Sequence, residues 1–189
     1  MKAQLETERL FVRSFKPEDW RDLQEYISRE EVMRFESPWD RSDEGMHKAA
    51  EDFSKGDDFW AVELKSTGKM IGHLYFGRTG PESFRTRMIG YIFNNCFHGN
   101  GYATEACRAL LSYAFNNSGV HRVVGLCSPE NKPSWKVMER LNMRREGHSL
   151  KAVTFRTNEA GQPIWWDEYR YAILAEEWAD TTYNSHRLY

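Results

Sequence analysis

No run of apolar residues in this 189-residue chain approaches the roughly 18–20 needed to cross a bilayer. The stretch from Met1 to Leu10 is polar and charged, where a secretory leader would carry an apolar core. Cysteine is scarce: only Cys96, Cys107 and Cys127 are present. Their odd number, and the lack of any Cys-x-x-Cys pair, speak against a disulfide framework or a zinc ribbon. Charge of one sign is also missing. The 26 Lys+Arg and 28 Asp+Glu leave a net charge of -2 and a pI near 6.3. That balance gives no electrostatic footprint for nucleic acid and no basic run for an anionic membrane. His73, His98, His121 and His148 have no metal-ligand spacing, so no metal is expected. The expectation is a protein of the reducing cytoplasm, with its cysteines serving as small core residues.

Large rings are what the chain has in quantity. Seven Trp, nine Tyr and eleven Phe can fill a core, which argues against disorder. The length fits one domain over residues 1–189. Leu10 and Val12 alternate with Arg9, Phe11 and Arg13 and read as a strand. Pro17-Glu18-Asp19 starts a helix with Trp20, Leu23, Tyr26 and Ile27 in its stripe. Ser42-Asp43-Glu44 starts a second helix, which Gly56 ends. Strands follow at 59–64, 69–76 and 87–93, with a hairpin-like turn at Ser66–Lys69 and a loop from Gly77 to Thr86. Ala103, Ala106, Cys107, Leu110, Leu111, Ala114 and Phe115 mark a strong amphipathic helix. A buried-type strand at 121–127, a short helix from Asn131 to about Leu141 and strands at 143–155 and 165–174 complete the order. The strand–helix–strand unit from Arg87 to Cys127 requires two parallel strands, and the short turns elsewhere imply antiparallel pairs. The fold class is therefore α/β: a mixed, mostly antiparallel twisted sheet of about six to seven strands, flanked by helices.

The chemistry-bearing stretch is His98-Gly99-Asn100-Gly101-Tyr102-Ala103-Thr104, between a strand and the best helix. Glycines let the backbone turn tightly, and the first amides of a helix have no intrahelical partner. With the helix dipole they make an anion site suited to phosphate, or else the glycines serve only a turn. A Gly-x4-Gly-Lys-Ser/Thr string is absent, and Thr104 stands where a dinucleotide fingerprint needs its third glycine.

This stretch resembles the acetyl-CoA pyrophosphate loop of the GNAT N-acetyltransferases, Arg/Gln-x-x-Gly-x-Gly/Ala. Gly101 and Ala103 take the small positions, and His98 replaces the usual Arg or Gln. Four further stretches are similar to the RimJ/RimL-like branch. They are Glu8–Arg13, Ile89–Ile92, the Asn131-x-x-Ser134 helix and Tyr171–Trp178. The resemblance implies the GNAT fold and direct attack of an amine on acetyl-CoA in a ternary complex, with CoA thiolate leaving. It implies that main-chain groups of Tyr91, Ile92 and Phe93 hold the carbonyl and pantetheine, with Gly90 permitting a bulge there. It implies a loop from His98 through Gly99, Asn100, Gly101, Tyr102 and Ala103 to Thr104 around the pyrophosphate. It also implies a thiolate partner in Ser134. Asn131 reads as a cofactor contact or as a plain helix N-cap. Ser134 shares helical spacing with Met138 and Leu141, so it should point inward.

The base is open among Glu36, Asp40, Glu82 and Glu168, with a water path as another route. The acceptor is a protein N-terminal amine or a small-molecule amine. Trp165-Trp166 is a packing or interface feature, or part of the acceptor groove. Homodimers are common in the branch. The competing function is a CoA-binding regulatory module without turnover.

Overall fold

The computed structural model describes residues 4–179. Residues 1–3 and 180–189, which the single-domain expectation included, lie outside the described residues. Eight strands form one sheet in the order β1-β2-β3-β4-β5-β6-β8-β7. They are β1 (Leu5–Glu6), β2 (Leu10–Ser14), β3 (Phe59–Leu64), β4 (Lys69–Arg78), β5 (Thr86–Phe93), β6 (Arg122–Cys127), β7 (Arg144–Thr157) and β8 (Pro163–Leu174). The helices are α1 (Trp20–Ile27), α2 (Glu30–Met33), α3 (Asp43–Lys55), α4 (Tyr102–Asn117) and α5 (Lys132–Arg140).

The sheet thus has one strand more than the six to seven expected. The extra strand is β1, only two residues long, and a turn at Thr7 splits it from β2. Thr7 N–H donates to the Leu10 carbonyl at 3.0 Å, and Leu10 N–H returns to Thr7 Oγ1 at 2.9 Å. The crossover argument holds: β5 and β6 are parallel, and every other pair is antiparallel.

Helices cover both faces of the sheet. On one face Ala106, Cys107, Leu110, Leu111 and Ala114 of α4, with Val137 and Met138 of α5, pack against Leu10, Val62, Ile89, Val123 and Tyr171. On the other, Leu23, Tyr26 and Ile27 of α1, Met33 of α2 and Met46 of α3 close over Phe15, Ala61 and Met70. Arg13 is buried on β2 because two carboxylates receive it: Asp19 at 2.8 and 2.9 Å and Glu63 at 2.7 Å. Burial works against its charge, but these bonds prevail and its pKa rises. Ser42 caps α3, its Oγ accepting from Gly45 N–H at 3.1 Å.

Candidate active site

β5 and β6 pair over only three positions, Thr86–Arg122, Arg87–Val123 and Met88–Val124. Beyond them β6 stays with β8, as Gly125–Tyr171, Leu126–Arg170 and Cys127–Tyr169. β5 stays with β4 as far as Phe93–Gly72. The two strands therefore part, and a crevice opens at their carboxyl ends. In an antiparallel ladder alternate residues turn their N–H and C=O toward or away from the partner. Asn94 N–H bonds the Ile71 carbonyl, so Ile92 also faces β4. The main-chain groups of Tyr91 and Phe93 face the crevice instead. The bulge expected at Gly90 is absent, because the β4–β5 register runs without a shift. Divergence from β6 exposes the strand edge.

The loop after β5 is held from within. Asn94 Oδ1 accepts from Cys96 N–H at 3.1 Å. His98 Nε2 lies 3.0 Å from the Phe93 carbonyl, which makes it the donor and fixes the tautomer. Asn100 Nδ2 donates to the carbonyls of Phe97 and His98 at 3.2 and 3.1 Å. Gly99 and Gly101 sit at φ +80° and +79°, in the left-handed region that glycine enters without penalty. A Cβ at Gly99 would meet nothing within 4 Å, and one at Gly101 only Arg9 Nη2 at 3.7 Å. The need for glycine is thus conformational rather than steric. The first helical bond of α4 runs from Glu105 N–H to the Gly101 carbonyl. Among the described residues, no protein acceptor takes the amides from Gly99 to Thr104. These unspent donors at the positive end of a sixteen-residue helix fit a pyrophosphate.

A clamp not evident from the sequence ties the turn before β2 to this loop. Arg9 Nη1 donates to the Asn100 carbonyl at 3.0 Å, and its guanidinium lies 4.6 Å from the Tyr102 ring centre. Glu105 receives Arg9 Nε at 2.7 Å, Arg9 N–H at 3.0 Å and Thr7 Oγ1 at 2.6 Å. Burial opposes the Glu105 charge, yet these bonds hold its carboxyl below the usual range. Arg9 read only as a strand residue, and no local signal joins positions 96 apart.

Ser134 lies across the crevice on α5 and is half-buried. Its Oγ donates to Tyr91 Oη at 3.3 Å, and Tyr91 Oη donates to the Ser134 carbonyl at 2.7 Å. Burial pushes the Tyr91 phenol well above 10, so it stays neutral. The neighbouring Cys127 thiol is pushed up to about 12, mainly by burial. Asn131 takes the capping position: its Oδ1 accepts from Ser134 N–H at 3.3 Å. The crevice thus gathers Tyr91, Phe93, Ser134 and the loop, while Ile92 turns its main chain away.

The four acids separate clearly. Asp40 is spent on Ser42 N–H and Oγ, which lower its pKa. Glu82 pairs with Arg78 at 3.4 Å in the exposed β4–β5 loop. Glu168 is half-buried on β8 opposite Ser149. Glu36 lines a cavity, and burial pushes its carboxyl up to about 7. Trp165 is half exposed, whereas Trp166 packs between Phe35 and Phe155.

An acetyltransferase (GNAT) domain model matches residues 9–144. The chain belongs to the GNAT acetyltransferase family. Over 174 residues it is 40% identical to the uncharacterized N-acetyltransferase YnaD of Bacillus subtilis, covering 91% of this chain and 97% of that one. It is 26% identical to the ribosomal protein uS5-alanine N-acetyltransferase of Escherichia coli, covering 94% and 93%. A solved GNAT-family acetyltransferase from Bacillus anthracis superposes with a TM-score of 0.84 at 35% identity, covering 93% of this chain and all of that one. The protein is accordingly an acyltransferase with the GNAT fold, and its similarity extends to the RimJ/RimL-like branch. Members of this GNAT family transfer acetyl from acetyl-CoA.

Proposed function

We propose that this GNAT protein transfers acetyl from acetyl-CoA to a primary amine by direct attack in a ternary complex. The observation that carries the proposal is the run of unspent amides from Gly99 to Thr104 beside the open edge of β5. The loop and the α4 dipole hold the pyrophosphate, and Arg9 braces the loop through the Asn100 carbonyl. Tyr91 and Phe93 offer main-chain groups to pantetheine and to the carbonyl oxygen, on which negative charge develops during attack. Ile92, named with them by resemblance, contributes through its side chain to the α1–α3 face. His98 acts through the Phe93 carbonyl and closes the loop onto the strand.

Ser134 serves the departing sulfur. Its hydroxyl rotates freely about Cβ–Oγ, so a proton now given to Tyr91 can turn to a thiolate. Asn131 is a positioning residue, fixing the first turn of α5 on which Ser134 stands. The test is direct: acetyl-CoA, the protein and a panel of amines, with free thiol and N-acetyl product both measured. Thiol released in step with product supports transfer. Binding of CoA with no release across the panel would make the protein a CoA-binding module.

A further inference from the structure

A cavity of about 530 Å³ opens on the face of the sheet opposite α4 and α5. No residue of α1–α5 lines it, and none of the crevice. Its floor is Met88 of β5 with Val124 and Leu126 of β6. The alternate residues Ile89 and Val123 point the other way, into the core under α4. Neither packed core includes the three floor residues, so their apolar surface is unclaimed. Phe84 stands on the rim with its ring 61% exposed. The strands under the floor are paired: β5 with β6 as far as Met88–Val124, and Leu126 with Arg170 of β8.

Three arginines line this cavity and no acid does. The register sets their order along β6. Arg122 lies level with Thr86, next to Arg85, and Leu126, four residues on, lies level with Arg170. Four residues of strand span about 13 Å, so guanidinium groups are rooted at both ends of an apolar floor. Arg85 sits at φ +46°, which an L-residue enters at a cost, and its carbonyl accepts from His121 N–H at 2.9 Å. The neighbouring acids are engaged elsewhere or stand aside. Glu146 accepts from Arg122 at 3.1 Å and from Arg144 at 2.8 Å, and Glu82 pairs with Arg78 at 3.4 Å. Glu168, two residues along β8 from Arg170, lies outside the lining. Among the described residues, the side chains of Arg85 and Arg170 have no hydrogen bond, ion pair or ring contact.

We infer that this cavity binds a slender organic diacid, an aliphatic chain with a carboxylate at each end. One carboxylate meets Arg85, the other meets Arg170, and the chain lies on Met88, Val124 and Leu126. The planar fork of arginine takes a carboxylate through two parallel N–H···O bonds. Two guanidinium groups without partners match two negative charges, while Glu146 already offsets Arg122. A bare inorganic anion would leave the floor exposed to water, and the floor is where the apolar gain lies. A peptide laid along the strands would find their main-chain groups paired, so the edge bonds of strand addition are closed to it. The site stands apart from the pyrophosphate loop and does not depend on the acetyltransferase reading.

The test is calorimetric titration of wild type, Arg85→Gln and Arg170→Gln. The probes are suberate, octanoate, succinate, 1,8-octanediol, sulfate and tetraglutamate. Octanoate keeps the chain of suberate with one acid, succinate keeps two acids on a short chain, and the diol keeps the chain without charge. Suberate should bind wild type at least about tenfold tighter than each of these three and than sulfate. Each variant should bind suberate at least about tenfold more weakly. Both arginines are exposed and unpaired, so each variant should keep the wild-type Tm and bind CoA within about twofold of wild type. Octanoate, succinate or sulfate binding as tightly as suberate would overturn the inference. So would suberate binding that is undetectable in wild type, unchanged in either variant, or lost together with CoA binding. Tetraglutamate binding more tightly than suberate would overturn it in favour of an acidic peptide partner.

Discussion

Gly101 holds φ at +79°, and a β-branched residue there must either strain or move the loop. Gly101→Val should therefore weaken CoA binding at least about tenfold, some 1.4 kcal/mol, while the fold survives. Calorimetry on the folded variant checks this, and unchanged affinity would remove the phosphate role. In the role proposed for Ser134, Ser134→Ala removes a donor whose benefit falls on the transition state. It should lower kcat by roughly 10–100-fold with CoA affinity nearly constant. Steady-state kinetics with the preferred amine decides, since a change in KM for CoA alone would make Ser134 a binding residue. His73 is wholly buried among rings, with Tyr26 Oη 2.6 Å from its Nδ1, and burial pushes its pKa from 6.5 down to about 3. Between those values the unfolded chain binds a proton that the folded protein refuses. Stability is thus complete above about pH 6.5 and falls by about 1.4 kcal/mol per unit as pH drops toward 3. His73→Gln keeps an acceptor for Tyr26 and removes the titration. Urea melts at pH 7 and pH 5 should show a smaller loss in the variant, by about 2 kcal/mol. An equal loss would place the acid sensitivity elsewhere.

At the scale of elements, Asn131 distinguishes capping from ligand binding. Its Oδ1 is engaged with Ser134 N–H, so Asn131→Ala should cost about 1 kcal/mol and lower Tm by about 2–4 °C. CoA affinity should stay within twofold in the same preparation; a tenfold loss would make Asn131 a cofactor contact. The elements that the sequence displayed well were those with local signals. The α4 stripe, the Ser42 cap and the α1 stripe after Pro17 each depend on neighbours three or four residues apart. The parallel β5–β6 pair followed from connection length alone. What stayed hidden depends on distant partners. β1 is two residues whose pairing a side-chain bond at Thr7 directs, and the four-residue α2 is too short to show a period. Arg13 reads as one charge of an alternating strand and is buried only because Asp19 and Glu63 meet it. The parting of β5 from β6 is invisible in Ile89–Phe93, since a strand edge looks the same paired or bare. Glu36 looked like three other acids until burial set it apart.

The whole molecule combines a rigid sheet with one unpaired stretch of edge. α4 and α5 fix one side of that opening, while the segment between α1 and α3, bonded to Asn95 and Glu130, fixes the other. For the direct transfer proposed above, such a frame would bring two reactants together with little reorganisation on binding, which is where most of the rate of such a reaction arises. Among the described residues no helix is long and apolar enough to cross a membrane, and no cluster of acids, His and Cys is placed to hold a metal. Acetyl-CoA and free CoA share the phosphates that the loop is proposed to hold, so both should raise Tm by mass action, and NAD and ATP much less. The most direct measurement follows the thioester itself. Wild-type protein is incubated with acetyl-CoA and tetraalanine, and released thiol and N-acetylated peptide are counted together. Equal amounts of the two, growing with enzyme concentration and reduced in Gly101→Val at subsaturating acetyl-CoA, are the predicted result. An intact thioester in the presence of bound CoA and every amine offered would contradict it.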